Sequence, residues 1–173
     1  EILDLAFDAL LEHAKPGVKC YELYAEIIHA CLYAGGEMPM FLMYEADPAP
    51  RHAVRFPSDK TLAAGYMILQ EISPKFAGYW SQIMVPVSLG KPDPIYRRLG
   101  EAACLAYDEA LKTIRAGITT RQLADAIAGP VQEAGFIWYR PQWQGLGLEQ
   151  TEGPMDQFFG GAARDDDGIV LEA

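Results

Sequence analysis

The sequence predicts an α+β fold in which helices cover one face of a curved antiparallel sheet. Three observations predict it. Ten residues of the first copy of a repeat recur one hundred positions later without a gap, each copy has a helix-glycine-helix-glycine pattern, and β-type segments follow the helices. Such a repeat indicates duplication and pseudo-twofold symmetry. The recurring residues are Glu1, Leu5, Ala6, Asp8, Leu11, Gly17, Leu23, Ile27, Ala34 and Gly35, each matched at its number plus one hundred.

The first copy begins with two predicted helices. Apolar residues at helical spacing indicate a helix over 1–14, which the Lys-Pro-Gly segment at 15–17 ends. A second helix is predicted over 20–34, with the glycine pair that follows it as the stop. The apolar run 38–44 predicts a buried strand, and a proline-rich loop is expected from 47 to 64.

β-type residues dominate the middle of the chain. They predict strands over 66–72 and 76–89, joined as an antiparallel hairpin by a turn at 73–75. Pro86 is expected to leave the far end of the second strand as an edge or a bulge, because proline cannot donate to a ladder.

The second copy of the repeat predicts two more helices. One runs from 95 to about 115, and the other spans 120–134 with Thr119 or Thr120 as its N-cap and Gly135 as its stop. Pro130 is expected to bend or shorten that last helix.

Composition excludes several classes of partner. At 173 residues and 50% hydrophobic content, the chain is long enough for one domain with one core. A formal charge of −10 argues against a nucleic-acid partner, and Arg97-Arg98 is interpreted as a solvated helix face. No apolar run is long enough to predict a membrane span. The three scattered cysteines, Cys20, Cys31 and Cys104, predict buried, reduced thiols and a cytoplasmic location rather than disulfides or zinc.

The stretch 143–154 carries the most specific motif, W-Q-G-L-G-L-E-Q-T-E-G-P. It resembles the pattern G-H-G-I-G-L-E-x-H-E-x-P of the pita-bread hydrolases, which include methionine aminopeptidase, aminopeptidase P, prolidase and creatinase. The residues in register are Gly145, Gly147, Leu148, Glu149, Glu152 and Pro154. The family's two histidines fall on Gln144 and Thr151. Together with the hairpin spacing, the repeat and the segment 115–124, the motif extends the resemblance over essentially the whole chain, and it implies the pita-bread fold.

The resemblance also implies how the chain is organised. Because the family continues into a strand that carries a ligand glutamate, we expect 1–173 to be a catalytic-type domain truncated at its C-terminal end, with an N-terminal domain absent. We expect a homodimer and a small-molecule or dipeptide-like ligand, and no nucleic-acid or membrane partner.

The metal-dependent members of this family place two aspartates on the central hairpin, and the resemblance puts them on Glu71 and Gln82. The ligand histidine falls on Gln144, and two later ligand glutamates fall beyond Ala173. Neutral amides are poor partners for a divalent ion that is normally held by carboxylates and imidazole. We therefore expect neither a divalent metal nor another cofactor.

The candidate residues follow from these positions. Proton transfer is assigned to Glu71, Glu152 and His52. Histidine exchanges protons near neutral pH, and Glu71 or Glu152 would be its partner. His52 is alternatively an exposed loop residue, and Glu152 alternatively accepts hydrogen bonds from backbone N–H groups near Gly153. Substrate binding is assigned to a set of polar and aromatic residues. Trp138 and Tyr139 are expected to cluster with its aromatic members but are not assigned to it. Aromatic residues in strands alternatively belong to the core. The assigned set is Tyr79, Trp80, Gln82, Trp143, Gln144 and Thr151.

Three functions remain open at this point. The first is a metal-independent hydrolase that cleaves a C–N bond in a small polar substrate. The second is a pseudoenzyme, a pita-bread domain kept for ligand binding or oligomerisation. The third is a metal-dependent Xaa-Pro aminopeptidase or dipeptidase, which requires a different register of the hairpin. Ligand glutamates after Ala173 would favour an acidic site, and their loss would favour the pseudoenzyme.

Overall fold

The computed structural model describes residues 1–48, 56–137, 144–149 and 152–155. The described residues divide into two compact units, one of residues 1–48, 56–93 and 146–149 and the other of residues 94–137, 144–145 and 152–155. The helices are α1 (Ile2–His13), α2 (Cys20–Tyr33), α3 (Pro94–Thr113) and α4 (Thr120–Glu133). The strands are β1 (Glu37–Asp47), β2 (Met67–Phe76), β3 (Tyr79–Trp80), β4 (Val87–Ser88), β5 (Gln144–Gly145) and β6 (Glu152–Met155).

The first unit is an antiparallel sheet covered on one face by α1 and α2. β2 is the central strand and pairs with β1 on one side and with β3 and β4 on the other. Ile68 and Ile72 of β2 belong to the same buried core as residues of both helices, so this face of β2 lies against α1 and α2. Because successive strand residues point to opposite faces, Glu71 and Ser73 lie on the other face of the sheet. Other core members are Ala6, Leu10, Leu23, Ile27, Cys31 and Phe41.

The loop before β2 is tied to the start of α2. The Cys20 and Tyr21 N–H groups donate to the carbonyls of Lys60 and Ser58 at 2.9 and 3.0 Å, and the Leu62 N–H donates to the Val18 carbonyl at 2.8 Å. Loop carbonyls thus accept from N–H groups that a helix start leaves without intrahelical partners. The predicted loop is therefore held to the helix layer over residues 58–62.

The predicted turn at 73–75 is wrong, since β2 continues through these residues to Phe76. Pro74 is tolerated because β1 changes register opposite it, between the pairs Glu37–Lys75 and Met40–Ser73. The chain reverses instead at Ala77 and Gly78, whose φ angles are 49° and 84°. Two positive φ angles in a two-residue connection are typical of a type I′ hairpin turn.

The predicted second strand, 76–89, is broken into shorter pieces. β3 ends at Trp80, Ile83 forms an isolated bridge with Ile72, and β4 holds only two residues. Pro86 lies between the bridge and β4, outside the named strands, which agrees with the irregular end predicted for it.

The second unit contains α3 and α4, whose boundaries lie close to the predicted ones. The Thr119 side chain accepts from the Gln122 N–H, as predicted for an N-cap. Pro130 does not shorten α4, because it lies in the last turn, where the Ala134 N–H still donates to its carbonyl at 3.1 Å. The buried side chains of these helices include Ala102, Ala106, Leu123, Ala124 and Ala128.

The repeat is visible in the backbone as well as in the sequence. Gly17 and Gly117 have φ angles of 95° and 90°, and Gly35 and Gly135 have 84° and 80°. Both copies therefore use glycine in the left-handed region at the same two points, between the helices and after them. None of the described helices is long and apolar enough to cross a membrane.

Two of the three cysteines agree with the prediction of buried thiols. Cys20 and Cys31 are buried, and burial raises the pKa of the Cys31 thiol to about 11. The prediction is wrong for Cys104, which is exposed because α3 buries Ala102 and Ala106 instead. Arg97 lies on an exposed face of α3 and pairs with Glu101 at 3.2 Å, which confirms the solvated face predicted for it. Arg98 is also exposed, but it donates to the Ala134 carbonyl at 3.1 Å.

Candidate functional site

The candidate site centres on Glu71, which lies on the face of β2 opposite the helices. Its side chain is 7% exposed, and that of Ser73, two residues further along the same face, is fully buried. Gln82 follows β3 and reaches the same place because the hairpin returns antiparallel to β2, with Ile83 bridged to Ile72. The structure thus brings together the two hairpin positions, 71 and 82, that the sequence singled out.

Two neutral groups donate to the same carboxylate oxygen. Gln82 Nε2 lies 2.5 Å from Glu71 Oε1, and Ser73 Oγ lies 3.3 Å from that oxygen. Gln82 Nε2 also lies 3.5 Å from Ser73 Oγ. A carboxylate that accepts from an amide and a hydroxyl at one oxygen is held in one orientation, which leaves its second oxygen with a defined direction.

Sequence reasoning missed Ser73, because it assigned this residue to a turn. The signal was present, since residues two apart on a strand share a face. Extending the strand that contains Glu71 through Pro74 would have placed the Ser73 hydroxyl beside the carboxylate.

Gln70 is a second buried polar residue that the sequence reasoning missed. It is 2% exposed, its amide nitrogen donates to the Val85 carbonyl at 2.9 Å, and its Oε1 atom has no hydrogen-bond partner among the residues that the structure describes. Gln70 shares the face of Ile68 and Ile72, so it lies on the opposite side of the sheet from Glu71. The strand thus carries a polar side chain on each face at neighbouring positions.

The glycine motif contacts the hairpin through its central residues. The Trp80 N–H donates to the Gly147 carbonyl at 2.8 Å, and the Gly147 N–H donates to the Glu149 carbonyl at 3.2 Å. Leu148 lies against Gly78, where a Cβ atom would stand 3.6 Å from its Cδ2 atom. The centre of the motif thus lies directly against the hairpin that carries Gln82, through one backbone hydrogen bond and one side-chain contact.

Glu37, the first residue of β1, holds the turn of this hairpin. Its Oε1 atom accepts from the Gly78 N–H at 2.7 Å, and its Oε2 atom lies 3.3 Å from Lys75 Nζ. The hydrogen bond from Gly78, with a smaller contribution from Lys75, lowers the pKa of the Glu37 carboxyl. The Lys75 ammonium also lies 5.4 Å from the centre of the Trp80 ring, within cation–π distance.

Two of the predicted aromatic residues, Tyr79 and Trp80, line an open groove of about 590 Å³. Tyr79 is 61% exposed. The groove lies between the start of α1 and the hairpin, and Glu71 and Gln82 are not part of its lining. The remaining lining residues are Glu1, Ile2, Leu3, Leu5, Ala34, Pro74, Lys75, Phe76 and Ser81.

Five of the residues that the sequence places in or beside the site lie outside the described residues. They are His52, Trp138, Tyr139, Trp143 and Thr151. Backbone pairing connects β5 to β6, with Gln144 opposite Met155 and Gly145 opposite Glu152. Among the residues that the structure describes, no three histidine, cysteine, aspartate or glutamate side chains are grouped so that they could hold a metal ion.

Comparison with known proteins identifies the family. The model of "Metallopeptidase family M24" matches residues 1–172. The chain belongs to metallopeptidase family M24. A curated relative of this M24 domain is the Xaa-Pro dipeptidase of Pyrococcus horikoshii, which is 27% identical over 159 residues, covering 89% of the chain and 45% of the relative. The M24 domain thus spans less than half the length of that relative.

Solved structures show the same fold. The prolidase from Pyrococcus horikoshii superposes with a TM-score of 0.83 at 24% identity, over 99% of this chain and 48% of the other. Methionine aminopeptidase from Thermotoga maritima gives a TM-score of 0.78 at 16% identity, over 99% of this chain and 71% of the other. The pita-bread fold predicted from the glycine motif and the repeat is confirmed.

Proposed function

We propose that this M24 domain belongs to a hydrolase that cleaves a C–N bond in a small polar substrate without a metal ion. The observation that carries the proposal is the hydrogen bond from Gln82 Nε2 to Glu71 Oε1. Gln82 occupies the second hairpin position of the family pattern, where the metal-dependent members have a carboxylate ligand. Its amide points a nitrogen at the carboxylate, so the pair has the geometry of a hydrogen-bonded base rather than of two metal ligands.

The described donor set does not suit a divalent metal pair. Glu71 contributes one carboxylate, while Gln82 and Ser73 contribute a neutral amide and a hydroxyl. Hydrolytic metal pairs are held mainly by carboxylates and imidazole, which supply charge and strong donor atoms. These described side chains therefore supply too few strong ligands for a divalent metal pair.

In the proposed mechanism Glu71 is the proton-transfer group. It takes a proton from a water molecule whose oxygen adds to the carbon of the scissile C–N bond. The C–N bond then breaks, and the proton passes to the leaving nitrogen, so that an amide substrate yields a carboxylic acid and an amine. Gln82 and Ser73 hold the Glu71 carboxylate in one direction, and a positioned base of this kind contributes roughly 10² to 10⁴ in rate.

The remaining predicted residues keep their proposed roles. His52 and Glu152 are proposed to assist proton transfer. Tyr79, Trp80, Trp143, Gln144 and Thr151 are proposed to bind the substrate. Within the first unit, the Trp80 N–H donates to the Gly147 carbonyl, which places Trp80 beside the centre of the glycine motif.

The family favours a second candidate, a metal-dependent Xaa-Pro dipeptidase. The family is described as a metallopeptidase family, and the Pyrococcus horikoshii relative is an Xaa-Pro dipeptidase. This candidate requires metal ligands other than Gln82, so it makes the opposite prediction about chelation.

The proposal also includes a homodimer in the cytoplasm with a small-molecule or dipeptide-like ligand. The buried free thiols of Cys20 and Cys31 support a reducing compartment. Sedimentation of the full-length protein tests the dimer.

The test is hydrolysis by the full-length protein after exhaustive chelation, with a panel of small amides, ureas, amidines and Xaa-Pro dipeptides and with release of amine or ammonia as the readout. We expect turnover that survives chelation and falls by at least about 100-fold in Glu71→Gln. Glu109→Gln, on an exposed face of α3, is the matched control and should leave the rate unchanged. Turnover of Xaa-Pro dipeptides that requires added manganese or cobalt would establish the second candidate instead. No turnover of any substrate would favour the pseudoenzyme and overturn the proposal.

A further inference from the structure

We propose that Glu37 is a positioning residue that holds Gly147 and Leu148 of the glycine motif against the hairpin of the candidate site. The inference rests on the proposed function only in treating the motif as part of that site. Glu37 lies 41 positions before Gly78, and in the sequence it belongs to a different strand from the hairpin. It touches neither Glu71 nor Gln82 in the contacts described above, so its effect on the site is transmitted through the hairpin.

The first step of the transmission is the turn itself. Ala77 and Gly78 both have positive φ, a conformation that a residue such as alanine adopts only at a cost. Glu37 Oε1 accepts from the Gly78 N–H at 2.7 Å, which supplies an acceptor outside the hairpin for the turn. The carboxylate thereby stabilises a turn that its own sequence disfavours at Ala77.

The second step is the surface that this turn presents. Leu148 packs against Gly78, and the Trp80 N–H, two residues beyond Gly78, donates to the Gly147 carbonyl at 2.8 Å. Gly147 and Leu148 therefore contact the hairpin at Trp80 and Gly78, and Gly78 is the residue whose N–H Glu37 binds. If the turn shifts, both contacts shift with it.

The third step involves the side chains beside the turn. Lys75 Nζ lies 3.3 Å from Glu37 Oε2 and 5.4 Å from the centre of the Trp80 ring. Lys75 is 29% exposed, so this bridge is partly shielded from water. Glu37 thus reaches Trp80 by two routes, through the backbone of the turn and through the Lys75 ammonium.

The experiment is residue-resolved hydrogen–deuterium exchange on the full-length protein. The Trp80 amide, which donates to Gly147, reports the motif contact. The Ile72 amide, which donates to the Ile83 carbonyl at 3.0 Å in the same sheet, is the internal reference. Wild type is compared with Glu37→Ala and Glu37→Gln, and Glu37→Asp serves as a shorter carboxylate in case the alanine variant does not fold.

We expect Glu37→Ala to accelerate exchange at Trp80 by at least about tenfold relative to Ile72, because the contact opens locally. Glu37→Asp should do the same to a smaller degree, since its shorter side chain leaves the acceptor further from the Gly78 N–H. Glu37→Gln keeps an oxygen acceptor for the Gly78 N–H and should remain within about threefold of wild type.

Two results would overturn the inference. Equal acceleration at Trp80 and Ile72 in Glu37→Ala would show a general loss of stability rather than positioning. Unchanged exchange at Trp80 in both Glu37→Ala and Glu37→Asp would show that the motif is held without Glu37. Because exchange needs no substrate, its outcome is independent of whether the proposed hydrolysis is found.

Discussion

The Gln82 side chain donates from Nε2 to Glu71 Oε1 across the hairpin, at a distance of 2.5 Å. These two residues stand eleven positions apart, the spacing at which the metal-dependent pita-bread hydrolases place two aspartate ligands. A pair of like charges at those positions is held together by metal ions, whereas an amide and a carboxylate attract each other directly. Two carboxylates at those positions would repel each other without a metal ion between them, and the Gln82 amide avoids that repulsion, which supports the proposed metal-free base.

Ser73→Ala removes the second donor to Glu71. Because Ser73 is fully buried and hydrogen bonds to charged groups are stronger than neutral ones, we expect the free energy of unfolding to fall by about 1.5–3 kcal/mol. Urea denaturation measures it. The partly exposed Ser81 provides the control, and Ser81→Ala should change stability by less than about 0.5 kcal/mol. Equal effects of the two substitutions would contradict the role given to the Ser73 hydroxyl.

Gln70→Leu is expected to stabilise the protein by roughly 1 kcal/mol, since it removes a buried acceptor that has no hydrogen-bond partner within the described part of the chain. The lost bond to Val85 costs little, because Val85 is 43% exposed and water can reach it. Thermal unfolding measures the change. Gln70→Ala removes the same oxygen but leaves a cavity, so it should destabilise by about 2 kcal/mol or more. A leucine variant as unstable as the alanine variant would show that the amide is needed in the core.

Ala77→Asn should stabilise the hairpin turn by about 0.5–1 kcal/mol, because asparagine tolerates positive φ better than alanine does. Ala77→Val should lower stability by more than about 1 kcal/mol, since a β-branched residue is least compatible with this conformation. Denaturant unfolding of the two variants checks both signs. If the valine variant were more stable than the asparagine variant, residue 77 would not have a positive φ angle.

Glu37 predicts a pH dependence of stability. The Gly78 N–H and Lys75 lower the pKa of its carboxyl in the folded state. The unfolded chain therefore binds the proton more tightly, and the contribution of Glu37 is present above the ordinary carboxyl pKa near 4.5 and disappears as pH falls through the lower folded value. Unfolding measured from pH 7 down to pH 3 should show a shallower acid decline in Glu37→Gln than in wild type. Parallel declines would refute the assignment.

Local sequence patterns predicted the parts of the fold that local forces decide. The helices, the Thr119 cap and the glycines that end each helix pair follow from spacing and backbone preference, and the structure confirms them. The hairpin turn was misplaced because Pro74 reads as a breaker. Only the register change in β1, a strand distant in sequence, makes room for it.

The candidate site was predictable to the same extent. Glu71 and Gln82 could be found because the family motif fixes their spacing. Ser73 was missed because it was assigned to the turn. Gln70 was missed because no local pattern shows that this polar side chain points into the core. The contact from Glu37 to Gly78 spans 41 positions and depends on strand pairing, so no local pattern contains it.

The central claim is that Gln82 and Glu71 form a hydrogen-bonded base rather than part of a metal site. Elemental mass spectrometry of the full-length protein, after dialysis against trace manganese, cobalt and zinc and then against metal-free buffer, tests it most directly. We predict no metal above the level found in a metal-free reference protein treated in parallel. About one or two ions per chain, the content of a hydrolytic metal centre, would contradict the claim and favour the metal-dependent Xaa-Pro dipeptidase.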